Sequence, residues 1–591
     1  MLGYNNMNNI TVQEKACGAI LGAACGDALG WPNERRGNYV NSNQQYDISN
    51  FVRWKKRSGG RYYPHDEWID AGEYSDDTQL ILCICRSLGY GSNWYDFWTQ
   101  TELPLWSLYE RGGGGATKRA AETWLKGIEP WDTIRNKNDV KRYFNAGGNG
   151  VAMRILPHVL LDGTTQDYDT IAKNIFLDGI TTHGHPRALV GALAFGYSLW
   201  SSLKRESKLE YGEIIDDLIK NIDSWSNIPN LPSEFSKWQK AANEASKDYA
   251  SQWKATLQEM MLLLNVCNEE LSKGSLVIDE EALKKLNCFN KDISGAGTVS
   301  AAGALYIASR YAPDPFHGLV KAANAQGADT DTIASMAGSL LGIIHGTSWL
   351  SSLKNIIQDG KYLLKSVDDL IVKNAGESNA FKIPHLVSSK LKKWNDQLFK
   401  SQESSNVEMP DGRKGKVHLL PDQVGKTGRY KIEFRKIILE DGQTIFMKKV
   451  TKGDFRVEKK NQDSTKIDGQ TRHSCVHCGI KIPASSIAES SYFYKDILGF
   501  KVKKQSQEVV AFEQGVTLVP MTYNNNFDPQ FKSFSILFIE VENINEKYAL
   551  IKKKGINILT PLSSWGKSLQ ARQFFRCADP DGNVIELFSV Q

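Results

Sequence analysis

The chain has 591 residues, of which 41% are hydrophobic and 24% charged, and its formal net charge is +5. That length calls for two or three domains, and the composition is that of well-packed globular structure. A charge this small for the length excludes a general electrostatic case for nucleic-acid binding. The nine cysteines form no repeated framework, and Cys17, Cys25, Cys83 and Cys85 sit inside apolar helical runs, as reduced core thiols do in the cytoplasm. The N-terminal apolar stretch lacks a basic leader and is cut by Asp27, so no membrane span is expected and the protein reads as soluble and cytoplasmic.

Along the chain, apolar residues recur at helical spacing in "EKACGAILGAACGDAL", "TIAKNIFLDGI", "RALVGALAFGYSLW", "ATLQEMMLLLNVC" and "TIASMAGSLLGIIHG", with few strand-like runs, so residues 1–395 are expected to be all-α. Within this region "AGEYSDDTQL" sets Ser75, Asp76 and Asp77 side by side before an apolar run. Ser and Asp are favoured helix caps, and carboxylates suit the first turn of a helix. The pattern returns in "NAQGADTDTIASMAGSLLG", where Asp329, Asp331 and Thr332 open a second small-residue helix. If the two helix mouths faced one another, crowded carboxylates would raise each other's pKa, and a counter-charge would be required. Neither mouth carries Lys or Arg, and the all-oxygen donor set suits Mg²⁺, Mn²⁺ or Ca²⁺ better than zinc. Capping and metal binding are both open on this evidence, with a pair of Mg²⁺ ions the economical form of the second.

Glycine-rich turns that open helices offer backbone N–H groups to phosphates. "GGGGATKRAAETW", with Gly113, Gly115 and Thr117, and "NAGGNGVAMR", with Gly147, Gly148, Asn149 and Gly150, have that form, although a glycine run alone usually marks only a corner. From about residue 396 the character changes. "FKSQESSNVEMPDGRKGK" is polar and turn-rich, and "GRYKIEFRKIILEDGQTIFMKKV" alternates around an Asp-Gly turn at Asp441 and Gly442. Residues 396–471 therefore read as a polar linker with a small basic β-rich segment. Its lysines and arginines admit nucleic-acid contact by residues 400–470, though solvated strand faces and protected edges are the commoner cause. Residues 472–591 read as a β-α-β-β-β pattern given twice.

The phrases "GAILGAACGDALGWPNE", "YSDDTQL", "RGGGGATKRA", "GNGVAMRILP", "THGHPRAL" and "NAQGADTDTIASMAGSLLG" together resemble the ADP-ribosylglycohydrolase family over roughly 330 residues. The resemblance implies an all-helical bundle with a dinuclear Mg²⁺ cleft, Mn²⁺ being an admissible substitute. The metal positions fall on Ser75, Asp76, Asp77, Asp329, Asp331 and Thr332. It further implies a catalytic role for Glu34, Asp76, Asp77 and Asp331, and ligand contact for the two glycine-rich loops, Met153 and His183. Arg154 would shape the cleft floor. His185 reads as a helix-entry residue, and Asp27 is equally compatible with a helix-positioning role and a place behind the metals. The implied reaction cleaves the bond between the anomeric carbon of ADP-ribose and its acceptor, through an oxocarbenium-like transition state. The substrate would be an ADP-ribosylated protein, nucleic acid or small conjugate.

"HCGIKIPASSIAESSYFYKDILGFKV" and "FFRCADPDGNVIELF" resemble the vicinal oxygen chelate superfamily of glyoxalases and dioxygenases, a module that can dimerise. Of its four metal positions the first falls on His477 and the last on Glu586, while the middle two fall near Pro520 and Ile536, which cannot ligate. The short run His473, Cys475, His477 and Cys478 has zinc-like letters but no second cluster. The expected architecture is thus multidomain: an all-α ADP-ribosylglycohydrolase bundle, a small β-rich segment and an α+β vicinal oxygen chelate domain. The alternatives are a metal-dependent glyoxalase or dioxygenase in the C-terminal domain, and a non-catalytic ADP-ribose binder.

Overall fold

The structure is a computed structural model that describes residues 10–34, 49–207, 209–246, 248–373, 383–455, 480–484, 486–505, 510–513, 516–520, 537–541, 543–565, 572–580 and 584–590. It comprises two compact units, Met1–Lys459 and Lys460–Gln591.

The first unit is built around a pair of antiparallel helices, α1 (Val12–Gly30) and, far along the chain, the helix Thr330–His345. Thr11 and Glu14 form a reciprocal capping box at the start of α1. Every fourth residue from Gly18 to Gly30 is glycine, and this row lies against the backbone of the partner helix. A Cβ at Gly22 would stand 2.1 Å from the Gly338 carbonyl oxygen, and one at Gly342 would stand 2.0 Å from that of Gly18. Glycine is required here because only a missing Cβ lets two helix backbones touch. The row ends with Gly30 against Thr330 and Asp331, and the Thr330 hydroxyl donates to the Gly30 carbonyl at 2.9 Å. The tail of the first helix is thereby fixed beside the mouth of the last.

The helices that frame the site are α2 (Asp76–Leu88), α3 (Gly115–Trp124), α4 (Tyr168–Ile180), α5 (Pro186–Lys204), α6 (Gly297–Arg310) and α7 (Thr330–His345). The expected all-helical region also contains a hairpin, β1 (Trp54–Ser58) paired with β2 (His65–Ile69). A four-stranded antiparallel sheet follows: β3 (Asn406–Glu408), β4 (Lys414–Val424), β5 (Tyr430–Leu439) and β6 (Thr444–Lys452), in that order across the sheet. Its apolar face is continuous with the helical core through Met409, Val417, Ile437, Leu439, Ile445 and Met447. It also holds the hairpin. The Tyr430 hydroxyl donates to the Pro64 carbonyl at 2.8 Å, Gln423 pairs with the Asp66 backbone, and Lys448 pairs with buried Glu67.

The second unit repeats one motif. Strands β7 (Ile480–Ala484), β8 (Val502–Gln505), β9 (Val510–Phe512) and β10 (Val516–Pro520) form a sheet in the order β7-β10-β9-β8, with β7 and β10 parallel. Strands β11 (Leu537–Glu540), β12 (Ile558–Trp565), β13 (Arg572–Ala578) and β14 (Val584–Val590) form the equivalent sheet, β11-β14-β13-β12. A helix follows the first strand of each half, Ile487–Tyr492 and Ile544–Lys553, so the β-α-β-β-β pattern is present twice. Both halves contribute to one core that includes Phe512, Leu518, Phe575 and Leu587.

Candidate active site

The mouths of α2 and α7 do face one another. Ser75 caps α2 by accepting from the Asp77 N–H, and its hydroxyl also approaches Asp77 Oδ2 at 3.4 Å. From the other side the Thr332 hydroxyl donates to the same Asp77 Oδ2 at 3.3 Å, joining the two mouths. The second oxygen, Asp77 Oδ1, is buried and has no hydrogen-bond partner among the described residues. Glu34, just past the 3₁₀ turn that follows α1, brings a carboxylate oxygen into a group with Asp329 and Asp331, their ligating atoms all within 4.8 Å of one another.

Burial pushes the Asp76 carboxyl well above the usual carboxylate range, with Glu110, Glu34 and Asp27 adding to the effect. Asp77 is raised by burial and then by Asp27, Asp76 and Asp329, and Asp331 by burial and then by Glu34, Asp329 and Asp77. The donors are all oxygen; Glu34, Asp329 and Asp331 converge, Asp76 and Asp77 stand outside that group, and one Asp77 oxygen is left without a partner, so the residues present fit a hard divalent cation. A buried, unpaired carboxylate oxygen is costly unless something neutralises it.

Asp27 has a structural task. Its carboxylate accepts from the Ser75 N–H at 2.9 Å, the Thr78 N–H at 3.0 Å and the Thr78 hydroxyl at 2.6 Å, so a side chain of α1 caps α2 and sets the position of Asp76 and Asp77.

The glycine-rich segments flank the carboxylates on two sides. Gly112, in the left-handed region at φ 112°, leaves room for Asp76: a Cβ there would lie 2.8 Å from Asp76 Oδ1 and 3.6 Å from both Lys56 Nζ and Trp31 Nε1. Gly113 packs on Trp106, and Gly115 opens α3. On the other side, the Asn149 N–H donates to the Gly295 carbonyl and the Gly297 N–H to that of Gly147, pinning the loop 147–150 to the start of α6. The Asn149 side-chain amide donates to Ser300 at 2.9 Å and to Asp329 Oδ2 at 3.0 Å. Gly150 faces Thr117 and His183, and Gly148 also faces His183.

His183 Nδ1 pairs with the Thr182 hydroxyl at 2.7 Å. Burial, with Arg154 and Arg119 nearby, lowers its pKa to about 3, so the ring is neutral at physiological pH. Met153 is buried, and its N–H donates to the Asn149 carbonyl at 3.2 Å. Arg154 is fully buried in a pair with Asp178 on α4, with Nε to Oδ1 at 3.0 Å, and holds the loop's base by donating to the Gly150 carbonyl. His185 accepts from the Arg187 N–H as the cap of α5, the helix-entry place read from the sequence.

Several residues near the cleft escaped sequence reasoning. The hairpin delivers Lys56, whose Nζ lies 4.5 Å over the Trp31 ring; burial lowers its pKa, opposed by Glu67, Glu34 and Asp76. The polar sequence Trp-Lys-Lys-Arg-Ser of β1 carries no signal for this; the alternation that turns Trp54, Lys56 and Ser58 to one half-buried side shows only in the folded hairpin. Arg111 pairs with buried Glu73 at 2.8 Å and stacks 4.2 Å over Phe446 of the sheet. Nothing local in the sequence marks either contact.

In the second unit, Glu586 Oε2 accepts from Arg576 Nε at 2.8 Å across the β13–β14 pair. His473, Cys475, His477, Cys478 and Ile536 lie outside the described residues.

The sequence profile of the ADP-ribosylglycohydrolase family matches residues 8–380, most of the helical unit and well over half of the chain. The protein belongs to the ADP-ribosylglycohydrolase family. It is a glycohydrolase of ADP-ribosyl conjugates, joined to a module of the glyoxalase/bleomycin resistance protein/dioxygenase superfamily that matches residues 474–587. Similar proteins include the uncharacterized protein YegU of Escherichia coli (strain K12), 24% identical over 344 residues, which cover 57% of this chain and 89% of that one. The ADP-ribosyl-[dinitrogen reductase] glycohydrolase of Rhodospirillum rubrum is 27% identical over 205 residues, covering 32% of this chain and 58% of that one. A solved ADP-ribosylglycohydrolase-related protein complex covers 61% of this chain and 98% of its own at 19% identity, with a TM-score of 0.36. No helix among the described residues is long and apolar enough to cross a membrane.

Proposed function

We propose that the cleft between the α2 and α7 mouths hydrolyses the bond between the anomeric carbon of ADP-ribose and its acceptor, with two Mg²⁺ ions held by Ser75, Asp76, Asp77, Asp329, Asp331 and Thr332. The observation that carries this reading is the shared Asp77 carboxylate, bonded by Thr332 from the opposite helix on one oxygen and unpartnered on the other. Bound divalent cations would supply charge neutralisation, orientation of the ribose hydroxyls and polarisation of a water. Glu34 sits with Asp329 and Asp331 at the edge of this cluster, where its carboxylate can carry the proton that leaves the attacking water and arrives on the departing acceptor atom. Asn149 orients Asp329, and Asp27 holds the start of α2 in register. The loop 147–150, the start of α3, Thr117 and His183 form the flank on which the diphosphate and adenosine would lie, with backbone N–H groups as the donors.

The C-terminal module is read as a substrate-selecting module and not a second metal enzyme. Glu586, its last metal-like position, is already paired with Arg576.

The test is turnover by full-length protein on arginine-, serine- and nucleobase-linked ADP-ribose and on small conjugates, with Mg²⁺ and with EDTA. At least one substrate should be cleaved only with the divalent ion, and Asp76→Ala and Asp331→Ala should abolish cleavage without unfolding the protein. Turnover that survives EDTA and both substitutions would refute the dinuclear reading. For Glu34→Gln, kcat should fall far more than ADP-ribose affinity; lost binding with unchanged turnover of bound substrate would make Glu34 a binding residue.

A further inference from the structure

The hairpin β1–β2 brings to the carboxylates a cation that neither helix mouth supplies. Lys56 stands opposite Glu67 in the hairpin register, yet that carboxylate is bonded to His65 and Lys448, and among the described residues Lys56 forms no ion pair. Its ammonium lies 4.5 Å over the Trp31 ring. Trp31 is 1% exposed, and its indole N–H is buried with no hydrogen-bond partner among the described residues. Both nitrogens reach the bare Cα of Gly112: a Cβ there would lie 3.6 Å from each of them and 2.8 Å from Asp76 Oδ1. Two N–H donors and one carboxylate therefore converge beside Gly112. A buried N–H left unbonded costs stability that an incoming acceptor atom would recover.

The place of this trio in the cleft determines what it meets. Asn149 bonds Asp329 on the side of the 147–150 loop and His183, whereas Gly112 touches Asp76 on the side of the hairpin. With the diphosphate and adenosine on the 147–150 flank, the group attached to the anomeric carbon extends the other way, toward Asp76, Lys56 and Trp31.

We propose that Lys56 and the Trp31 indole N–H select the acceptor, so that the enzyme cleaves ADP-ribose from hydroxyl oxygens in preference to guanidinium nitrogens. The inference rests on the reading of the cleft given above and names the substrate class within it. In cleavage of an O-glycosidic bond, the bond from the anomeric carbon to the acceptor oxygen breaks, and the oxygen leaves with the electron pair. It then takes up the proton that the attacking water gives up. An oxygen in that state accepts hydrogen bonds, and an ammonium and an indole N–H can donate to it as its charge grows. A guanidinium has N–H donors and no acceptor, and it carries a positive charge that Lys56 repels. The same two groups thus favour one leaving atom and oppose the other.

Steady-state cleavage of a serine-linked and an arginine-linked ADP-ribosyl peptide by the full-length protein tests it, using wild type, Lys56→Met, Lys56→Arg and Trp31→Phe. Lys56→Met keeps an apolar stem against the Trp31 ring and removes the charge, and a melting temperature verifies the fold of each variant. In wild type kcat/KM should favour the serine-linked peptide by at least about tenfold, the scale of one charge-assisted contact. Lys56→Met should lose that preference, through a lower kcat on the serine-linked peptide at little changed KM, and Lys56→Arg should retain it. Trp31→Phe should lower kcat on the serine-linked peptide alone. Equal efficiencies in wild type, failure on the serine-linked peptide while another conjugate is cleaved, or a preference unchanged in Lys56→Met would overturn the inference and leave the cleft reading intact. If wild type cleaves no ADP-ribosyl conjugate at all, the cleft reading itself fails and this inference with it.

Discussion

Asp27 and His183 show how single buried groups set the cleft. Among the described residues Asp27 has no partner of opposite charge, yet it satisfies two N–H groups and a hydroxyl at the start of α2. Asp27→Ala strands those donors and should cost about 3 kcal/mol in urea denaturation, near the upper range for hydrogen bonds to a charged group. Binding of divalent ions should weaken in the same variant, because α2 loses its fixed start. His183 has its pKa lowered from 6.5 to about 3 by burial. The unfolded chain therefore holds a proton that the folded chain refuses between those two values. Its contribution to stability is complete above 6.5 and declines as the pH falls toward 3. Urea midpoints across that window should fall less steeply in His183→Asn than in wild type; an unchanged slope would show that the ring is not held neutral.

At the scale of helices, the site depends on two pieces of architecture, the glycine row and the facing mouths. Gly22→Ala puts a Cβ 2.1 Å from the Gly338 carbonyl oxygen, so the helices must part. Overpacking of that kind should cost about 3 kcal/mol, seen as a lowered urea midpoint, with weaker metal-induced stabilisation because Gly30 no longer registers Asp331. The facing mouths predict a different signature. Divalent ions at a hundredfold excess over Kd should stabilise the fold by about 2.7 kcal/mol for each ion bound. In Asp77→Asn that gain should vanish, while the metal-free variant should melt above metal-free wild type, since one of several crowded carboxylates is gone. Thermal melts in EDTA and in Mg²⁺ decide it: a wild-type melting temperature indifferent to divalent ions would mean that the carboxylates are neutralised from within.

For the molecule as a whole, the sheet of β3 to β6 shares the helical core, so the chain should be divisible after residue 459 and not near 395. A fragment of residues 1–459 is expected to be soluble and to cleave small conjugates with kcat/KM near the full-length value, while losing efficiency on modified macromolecules, where binding area beyond the cleft counts. A fragment of residues 1–395 leaves the core partners of Met409, Val417, Ile437 and Met447 bare and should aggregate. Size-exclusion profiles and paired kcat/KM values on the two substrate classes check both statements. The facing mouths were legible because their donors are local in sequence, Ser75 to Asp77 and Asp329 to Thr332, and each opens an apolar helix. Asp27 was ambiguous because its partners lie 48 and 51 residues away. Lys56 and the pair Glu73 and Arg111 were not legible, since the polar sequence of β1 shows no alternation and no local pattern names a distant partner. The same limit hid the partner of the β3–β6 sheet: alternation announces an apolar face without naming the surface that covers it.

The contact between Gly30 and Thr330 spans 300 residues of chain, and this orders events at the ribosome. Synthesis at 5–20 residues per second leaves the first helix waiting roughly 15–60 s for the last one to emerge. During that interval the glycine row and the apolar residues beside it, Ile20 and Leu21 among them, have no native surface to meet, although both are buried in the finished fold. The nascent chain thus exposes apolar surface through this interval, and the cleft between the two helix mouths is completed late. A glycohydrolase of this build becomes competent only once nearly its entire helical unit has been made.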